Sequence, residues 1–238
     1  SSRFWFCLNG VAWYLSVQAF LYAIFPWLLA VLKKTDTRRL RCIAAAIFCA
    51  QCFFSLAIWK AGLSGKAVFY LTYLCPLFRA GDFAISCCMG CLYRSRKEER
   101  IPYGAFSLLE LAAVLFSGGC FFIAARQVGA LGAVAFRYNV LFTPSAVLLV
   151  WLLAVGKGVI SRLLSAKPFL WLAGLSPYGF LIHQVLIRYM ELAANKLGLT
   201  AHPVVWTLTV FLLTLCLSSF YKALEHRVRK RHAKAAAQ

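Results

Sequence analysis

A run of 29 residues without a charged side chain, Phe4 to Leu32, constrains this chain more than any other feature. An α-helix needs about 20 predominantly apolar residues to cross the hydrocarbon core of a bilayer, so the run is long enough to do so. The run also contains polar side chains that a simple anchor does not need, namely Asn9, Tyr14, Ser16, Gln18 and Tyr22. It therefore predicts a membrane-spanning helix with a role beyond anchoring.

Six further apolar segments follow this first one. Four of them carry no charge: 42–59, 138–156, 168–187 and 203–221. The other two are interrupted by charged residues, 67–93 by Arg79 and Asp82, and 103–125 by Glu110. Apolar residues make up 62% of the chain and charged residues 14%, a balance typical of polytopic membrane proteins. The sequence predicts an all-α transmembrane helix bundle of about seven spans, forming a single domain over residues 1–238.

The net charge of +19 would suggest nucleic-acid binding in a soluble protein, but the basic residues alternate between the predicted loops. Eighteen of the 26 lysines and arginines follow the first, third, fifth and seventh spans, whereas six lie on the opposite side. Such an excess is typical of cytoplasmic loops, so the first span starts outside and the C-terminus is cytoplasmic. Basic loops also meet anionic headgroups, which makes the lipid bilayer the predicted partner and excludes nucleic acid.

An odd number of spans with an external start is unusual for a complete membrane protein. The chain also opens directly on its apolar run, with no basic segment or cleavage site of a signal peptide. We therefore expect additional helices to precede residue 1 in the natural protein.

Ten cysteines invite a metal or disulfide interpretation. Cys49-x-x-Cys52 and Cys87-Cys88-x-x-Cys91 have suitable spacings, but both lie in predicted membrane helices. No loop supplies the His or Cys partners that a zinc site requires. We expect free thiols that pack as small apolar side chains, and no metal site.

Ionisable side chains inside membrane spans are costly and therefore mark candidate sites. Arg79 and Asp82 are three residues apart and share one helical face, which predicts an ion pair that is compatible with a substrate role. His183 falls about two turns into the sixth span, either as an interhelical hydrogen-bond partner or in a polar cavity. Glu110 stands alone in the fourth span, where snorkelling or a partner arginine would account for it.

Four separated segments resemble the membrane acyltransferase 3 family, and they occur in the family's order. They are Trp13–Leu29 with its W-x-L-S-V-[E/Q] pattern, Pro76–Phe83 followed by Gly90, Leu163–His183, and Tyr221–Glu225 followed by Arg229. Each motif is weak alone, but together they cover essentially the whole chain. The resemblance implies an integral membrane O-acyltransferase of the bacterial plasma membrane. It would transfer an acyl group from acyl-CoA to a carbohydrate or related hydroxyl, with acyl-CoA as substrate and no bound cofactor.

The resemblance also implies site residues. Substrate binding would fall to Trp13, Ser16, Tyr22, Arg79 and Asp82. The family's catalytic histidine lies on a helix before the start of this chain, so residues 1–238 alone are expected to be inactive. Within the chain, His183 and Gln18 are the remaining catalytic candidates. Gln18 stands where the family has glutamate, and an amide cannot act as a base.

Two other functions fit parts of the pattern. A catalytically inactive scaffold or sensor would account for Gln18, and a small-solute transporter would account for the polar residues inside the spans. Transporters often contain inverted repeats, and the sequence shows none.

The charge alternation yields a testable topology. Cysteine labelling or reporter fusions should place 33–41, 94–100, 157–167 and the C-terminal tail in the cytoplasm. A tail that is labelled from outside intact cells would overturn this orientation.

Overall fold

The computed structural model describes residues 12–96, 102–126, 135–137, 139–198 and 202–235, and within them it contains helices and no strand. The principal helices, in chain order, are α1 (Ala12–Leu32), α2 (Thr37–Lys60), α3 (Gly65–Phe69), α4 (Pro76–Ser95), α5 (Tyr103–Arg126), α6 (Thr143–Val155), α7 (Val159–Leu164), α8 (Lys167–Ala173), α9 (Ser176–Leu197) and α10 (Pro203–Ala235). The predicted all-α polytopic bundle is confirmed.

The number of helices that are long enough to cross a membrane is slightly lower than the seven spans predicted. In the described part of the chain, five helices are long and apolar enough to cross a membrane, and the bent pair α8 and α9 makes a sixth candidate. The two members of that pair meet at 58°, so the predicted span 168–187 is a broken one. The predicted span 138–156 contains α6, which has only 13 residues and falls short of the length that a full crossing needs.

The helices form two compact units, residues 14–164 and residues 165–238 together with 1–13. In the first unit, α4 packs on α2, and α5 packs on α6 and α7. The cluster of Leu32, Leu40 and Cys88 joins α1, α2 and α4. In the second unit, α9 packs on α10, where Gly179 faces Ser218 and Thr214. Small residues at such contacts are typical of membrane helices, because they allow close backbone approach.

The third predicted span is divided ahead of its charged pair. After α3 the chain makes a π-helical turn, Tyr70–Leu74, and Cys75 is extended before Pro76 opens α4. Proline disfavours the helical conformation in the residue before it, and it cannot donate a backbone hydrogen bond. The break therefore occurs where Pro76 predicts it, and it precedes Arg79 by one turn.

The turn between α1 and α2 is fixed by an acidic cap. Asp36 accepts a hydrogen bond from the backbone N–H of Arg39 at 2.9 Å. This bond lowers the pKa of Asp36, and the Arg39 guanidinium acts in the same direction. The depressed pKa means that the cap contributes above the unfolded pKa of the carboxyl and is lost as pH falls through the folded value.

Glu110 is fully buried and caps another helix, contrary to the interpretation of a snorkelling side chain or an arginine partner. Its carboxylate accepts hydrogen bonds from the backbone N–H groups of Gly158 at 3.2 Å, Ile160 at 2.8 Å and Ser161 at 3.2 Å. These groups lie at the start of α7, where a helix has N–H donors without intrahelical acceptors. A Cβ atom at Gly158 would overlap the Glu110 carboxylate, so glycine is required there.

Removing this cap should destabilise the 14–164 unit. Glu110→Ala leaves the backbone N–H groups of Ile160 and Ser161 without this acceptor, while Gly158 N–H keeps its contact with Ser161 Oγ, and the change should cost about 2 kcal/mol or more in unfolding free energy. Gly158→Ala should destabilise through the same contact, by displacing the carboxylate. Thermal unfolding in detergent micelles measures both. Gly104→Ala is the control, because a Cβ there meets nothing within 4 Å. Melting temperatures equal to that of the control would contradict the capping role.

Candidate functional site

Arg79 and Asp82 form the ion pair that their spacing predicts. Arg79 Nη1 lies 3.2 Å from Asp82 Oδ2, and the two side chains are 20% and 25% exposed. Arg79 Nε donates to the Tyr73 carbonyl oxygen at 2.9 Å, and the guanidinium stands 4.8 Å from the centre of the Tyr73 ring. The break before α4 thus supplies both a carbonyl and an aromatic face for the arginine.

The carboxylate of Asp82 also joins parts of the chain that are far apart in sequence. Its Oδ1 accepts from Gln51 Nε2 of α2 at 3.0 Å and from Asn139 Nδ2, just before α6, at 2.9 Å. The carboxylate thus has two amide donors and one guanidinium donor, and the arginine offsets its charge. We call Gln51, Tyr73, Arg79, Asp82 and Asn139 the polar cluster.

Gln51 is the most constrained member of the polar cluster. It is 6% exposed, and its Nε2 also donates to the Phe78 carbonyl at 3.2 Å. A Cβ at Gly81 would lie 2.7 Å from this nitrogen, so only glycine allows the approach. Gln51 Oε1 and Ser55 Oγ are buried without a hydrogen-bond partner among the described residues. Gln51 and Asn139 were not among the predicted site residues, although an amide in an apolar run is a recognisable signal.

A groove of about 480 Å³ runs from the polar cluster along α4 and α6. Asp82 and Asn139 line one end, and Tyr93, Trp151 and Ala154 line the other. We call it the α4–α6 groove. Its volume lies within the range of about 300–1,000 Å³ that is usual for small-molecule sites.

Two smaller cavities lie at the basic end of α4. One, of about 470 Å³, is lined by Lys33, Asp36 and Arg94 among others. The other, of about 400 Å³, also includes Lys33 and Arg94, and extends between α1 and α4 to Ser86 and Gly90. Ser86 and Gly90 line the α4–α6 groove as well, so the second cavity and the groove share one wall.

One of three comparisons with known proteins gives a match. The family model for acyltransferase 3, described as an acyltransferase domain, matches residues 1–222. The chain belongs to the acyltransferase 3 family. No curated protein and no solved structure gives a significant match. The family and the apolar helices together make the chain a multi-pass membrane acyltransferase.

The signature helix of the acyltransferase, α1, does not contribute to the α4–α6 groove. Ser16 is exposed, Tyr22 is 61% exposed, and Trp13 is half-buried. Gln18 Nε2 donates to the Tyr22 hydroxyl one turn further along the same helix. The structure therefore joins Gln18 to Tyr22 within α1, and Arg79 to Asp82 within α4, without a hydrogen bond between the two pairs in the described residues.

His183 of the acyltransferase lies on α9, in the 165–238 unit. Its Nδ1 is 3.0 Å from the Gly179 carbonyl oxygen, which can only accept a hydrogen bond. We assign the proton of the neutral imidazole to Nδ1 on this basis, which leaves a lone pair on Nε2. The half-buried ring also lies 6.1 Å from that of Phe180. The position of His183 in a polar cavity stays a prediction.

The third and fourth family motifs meet through a hydrogen bond that the sequence analysis missed. The Tyr178 hydroxyl donates to the Glu225 carboxylate, which also pairs with Arg229 one turn further along α10. Tyr178 and Glu225 are 47 residues apart, so no periodicity within one helix could reveal this contact. It links the start of α9 to the part of α10 that follows the predicted span.

Among the residues that the structure describes, no group of three or more His, Cys, Asp or Glu side chains could hold a metal ion. Nine cysteines in this part of the chain are free thiols. The candidate site is therefore a set of hydrogen-bonding and charged side chains next to an apolar groove.

Proposed function

We propose that this protein is a membrane O-acyltransferase that moves an acyl group from acyl-CoA to a hydroxyl of a carbohydrate or related molecule. The observation that carries the proposal is the neutralised Arg79–Asp82 pair at the head of a groove, in a chain of the acyltransferase 3 family. The positive-inside pattern supports a cytoplasmic C-terminus, and the bacterial plasma membrane is the location that the family resemblance implies.

The reaction needs a base and a donor for the oxyanion. The acceptor hydroxyl oxygen attacks the thioester carbonyl carbon, the carbon–sulfur bond breaks, and the sulfur leaves as thiolate and takes up the hydroxyl proton. Arg79 supports the oxyanion role, because a guanidinium has five N–H donors and two recorded contacts occupy its Nε and one Nη1 donor. Asp82 is suited to holding Arg79 and the acceptor, since its carboxylate already accepts hydrogen bonds from Arg79, Gln51 and Asn139.

The donor is proposed to enter from the cytoplasm. Lys33 and Arg94 line the cavities at the end of α4 that the charge pattern predicts to be cytoplasmic. Such side chains bind phosphate oxygens through charge-assisted hydrogen bonds, which suits the phosphates of CoA. The cleft between α1 and α4 then leads towards Ser86 and Gly90, beside the groove. Trp13, Ser16 and Tyr22 remain proposed substrate contacts.

A catalytically inactive scaffold is the second candidate. It is favoured by Gln18, whose amide cannot ionise and is engaged with Tyr22 on the same helix. Acyl transfer that depends on Arg79 distinguishes the enzyme from the scaffold.

Replacement of Arg79 tests the enzyme. In the complete natural protein, Arg79→Ala should lower acyl transfer by about 100-fold or more, the usual loss when a preorganised oxyanion donor is removed. Transfer is measured as acceptor-dependent release of CoA thiol in lipid vesicles. Arg39→Ala is a matched control, because Arg39 forms the same kind of i, i+3 pair with Asp36 outside the predicted spans.

Membrane insertion of both variants should equal that of the parent. If Arg79→Ala inserts normally and retains full transfer, Arg79 has a structural role only and the proposed site is wrong. Loss of transfer in the Arg39→Ala control would show that acyl transfer responds to the loss of any positive charge and not to Arg79 specifically.

Residues 1–238 alone should not sustain turnover, because the family resemblance assigns the base to a helix outside this range. General-base assistance is worth about 10²–10⁴-fold, so the purified chain in lipid should release thiol no faster with acceptor than after heating. Acceptor-dependent release that disappears in His183→Gln would instead identify His183 as the base, acting through the lone pair on Nε2.

A further inference from the structure

The α4–α6 groove lies between two hydrogen-bonded bridges. At one end Asn139 Nδ2 donates to Asp82 Oδ1, and at the other the Tyr93 hydroxyl donates to the Ala154 carbonyl at 2.8 Å. Asp82 and Tyr93 are eleven positions apart on α4, or about 16 Å at 1.5 Å per residue. The two helices are thus tied together at both ends, and a cavity remains between the ties.

The walls of the groove between the bridges are mostly apolar, and the two hydroxyls that also line it, those of Ser86 and Thr143, donate to the backbone carbonyls of Asp82 and Asn139. Ile85 and Met89 of α4 face Ala146, Val147 and Val150 of α6. Val150 is 66% exposed, and Ala146 is exposed as well, so the groove is open along its side. The exposed residues along this side are apolar, the composition expected of a surface in contact with hydrocarbon. The pantetheine arm of CoA contains amides, which would lose their hydrogen bonds here, whereas a hydrocarbon chain would lose none.

Tyr93 closes the end of the groove that the charge pattern places near the cytoplasm. Besides its bond to Ala154, its ring meets Trp151 edge to face at 6.0 Å between centroids. The Arg96 guanidinium stacks at 4.4 Å from the centre of the same ring. A ligand from the cytoplasm therefore meets a closed end, while a lipid in the bilayer can enter through the open side.

We propose that the α4–α6 groove binds the hydrocarbon chain of a membrane lipid that carries the acceptor hydroxyl, with its head at Asp82 and Asn139. This inference rests on the proposed function, which requires an acceptor hydroxyl, and it adds that the acceptor is linked to a lipid. The donor and acceptor then use different cavities, which share the wall formed by Ser86 and Gly90.

The head group supplies the selectivity of such a site. Moving a chain from bilayer to groove gains little, because lipid tails are as apolar as the leucines and valines of a helix. A hydroxyl in hydrocarbon lacks partners, however, and Asp82 and Asn139 offer them at the end of the groove. Binding should therefore require the hydroxyl and not the chain alone.

A photoreactive lipid tests the inference directly. The probe is a monoacylglycerol with a diazirine midway along its chain, added to the complete natural protein in phosphatidylcholine nanodiscs. Mass spectrometry should locate saturable labelling at Met89, Ala146 and Val150. Ala146→Leu should reduce this labelling by about fivefold or more, whereas the matched Ala112→Leu on exposed α5 should leave it unchanged. Val150→Phe is the second variant if Ala146→Leu does not fold.

Competition experiments then decide the occupant. Excess unlabelled monoacylglycerol should displace the probe, and an alkane of equal length should not. Equal labelling of α4, α5 and α6, or equal competition by the alkane, would overturn the inference, because either result describes ordinary bilayer contact. Displacement by long-chain acyl-CoA but not by monoacylglycerol would assign the groove to the donor and overturn it as well.

Acyl transfer measured in the same nanodiscs separates this inference from the function on which it rests. Transfer to a soluble sugar without groove labelling would overturn the lipid acceptor and leave the acyltransferase standing. Groove labelling in a protein that transfers no acyl group to any acceptor would overturn the proposed function and, with it, the acceptor role of the lipid.

Discussion

The architecture of the 14–164 unit depends on compensating one carboxylate in a membrane-spanning helix. An isolated charge in hydrocarbon is costly, so Asp82 requires Arg79, and the pair in turn requires the amides of Gln51 and Asn139. These partners come from α2, α4 and the residues before α6, which places three parts of the chain around one pair of oxygens. The close approach of α2 and α4 at Gly81 follows from the same contact, since any side chain there would displace Gln51.

The same principle explains why the polar cluster has a groove beside it. Hydrogen bonds join Asp82 of α4 to Asn139, just before α6, and Tyr93 of α4 to Ala154 of α6, while mostly apolar residues line the space between these contacts. Because α4 and α6 are joined at these two points, they do not close the space that lies between the points. The result is a cavity with a polar end and apolar walls, which suits a molecule that has a polar head and an apolar chain.

The sequence was sufficient for local features of the site and insufficient for distant ones. The Arg79–Asp82 pair could be predicted because three residues place side chains on one helical face, and the break before α4 because Pro76 has a fixed local effect. The partners of Asp82 lie 31 and 57 residues away, where no periodicity applies. Glu110 was misinterpreted for the same reason: its partners are backbone N–H groups about 50 residues further on, which sequence letters do not distinguish from any others.

These contacts indicate that the family motifs have different structural roles. The second motif supplies Arg79 and Asp82 of the polar cluster and part of one wall of the groove. Tyr178 and Glu225, from the third and fourth motifs, bind each other, so they bear first on the packing of α9 against α10. His183 belongs to the third motif but does not share this contact, since its Nδ1 is satisfied one turn earlier within α9 and its Nε2 is left to accept. Outside the polar cluster, His183 thus has a ring nitrogen, Nε2, with a lone pair that can accept a proton. Both carboxylate oxygens of Glu110, in contrast, accept hydrogen bonds from backbone N–H groups at the start of α7.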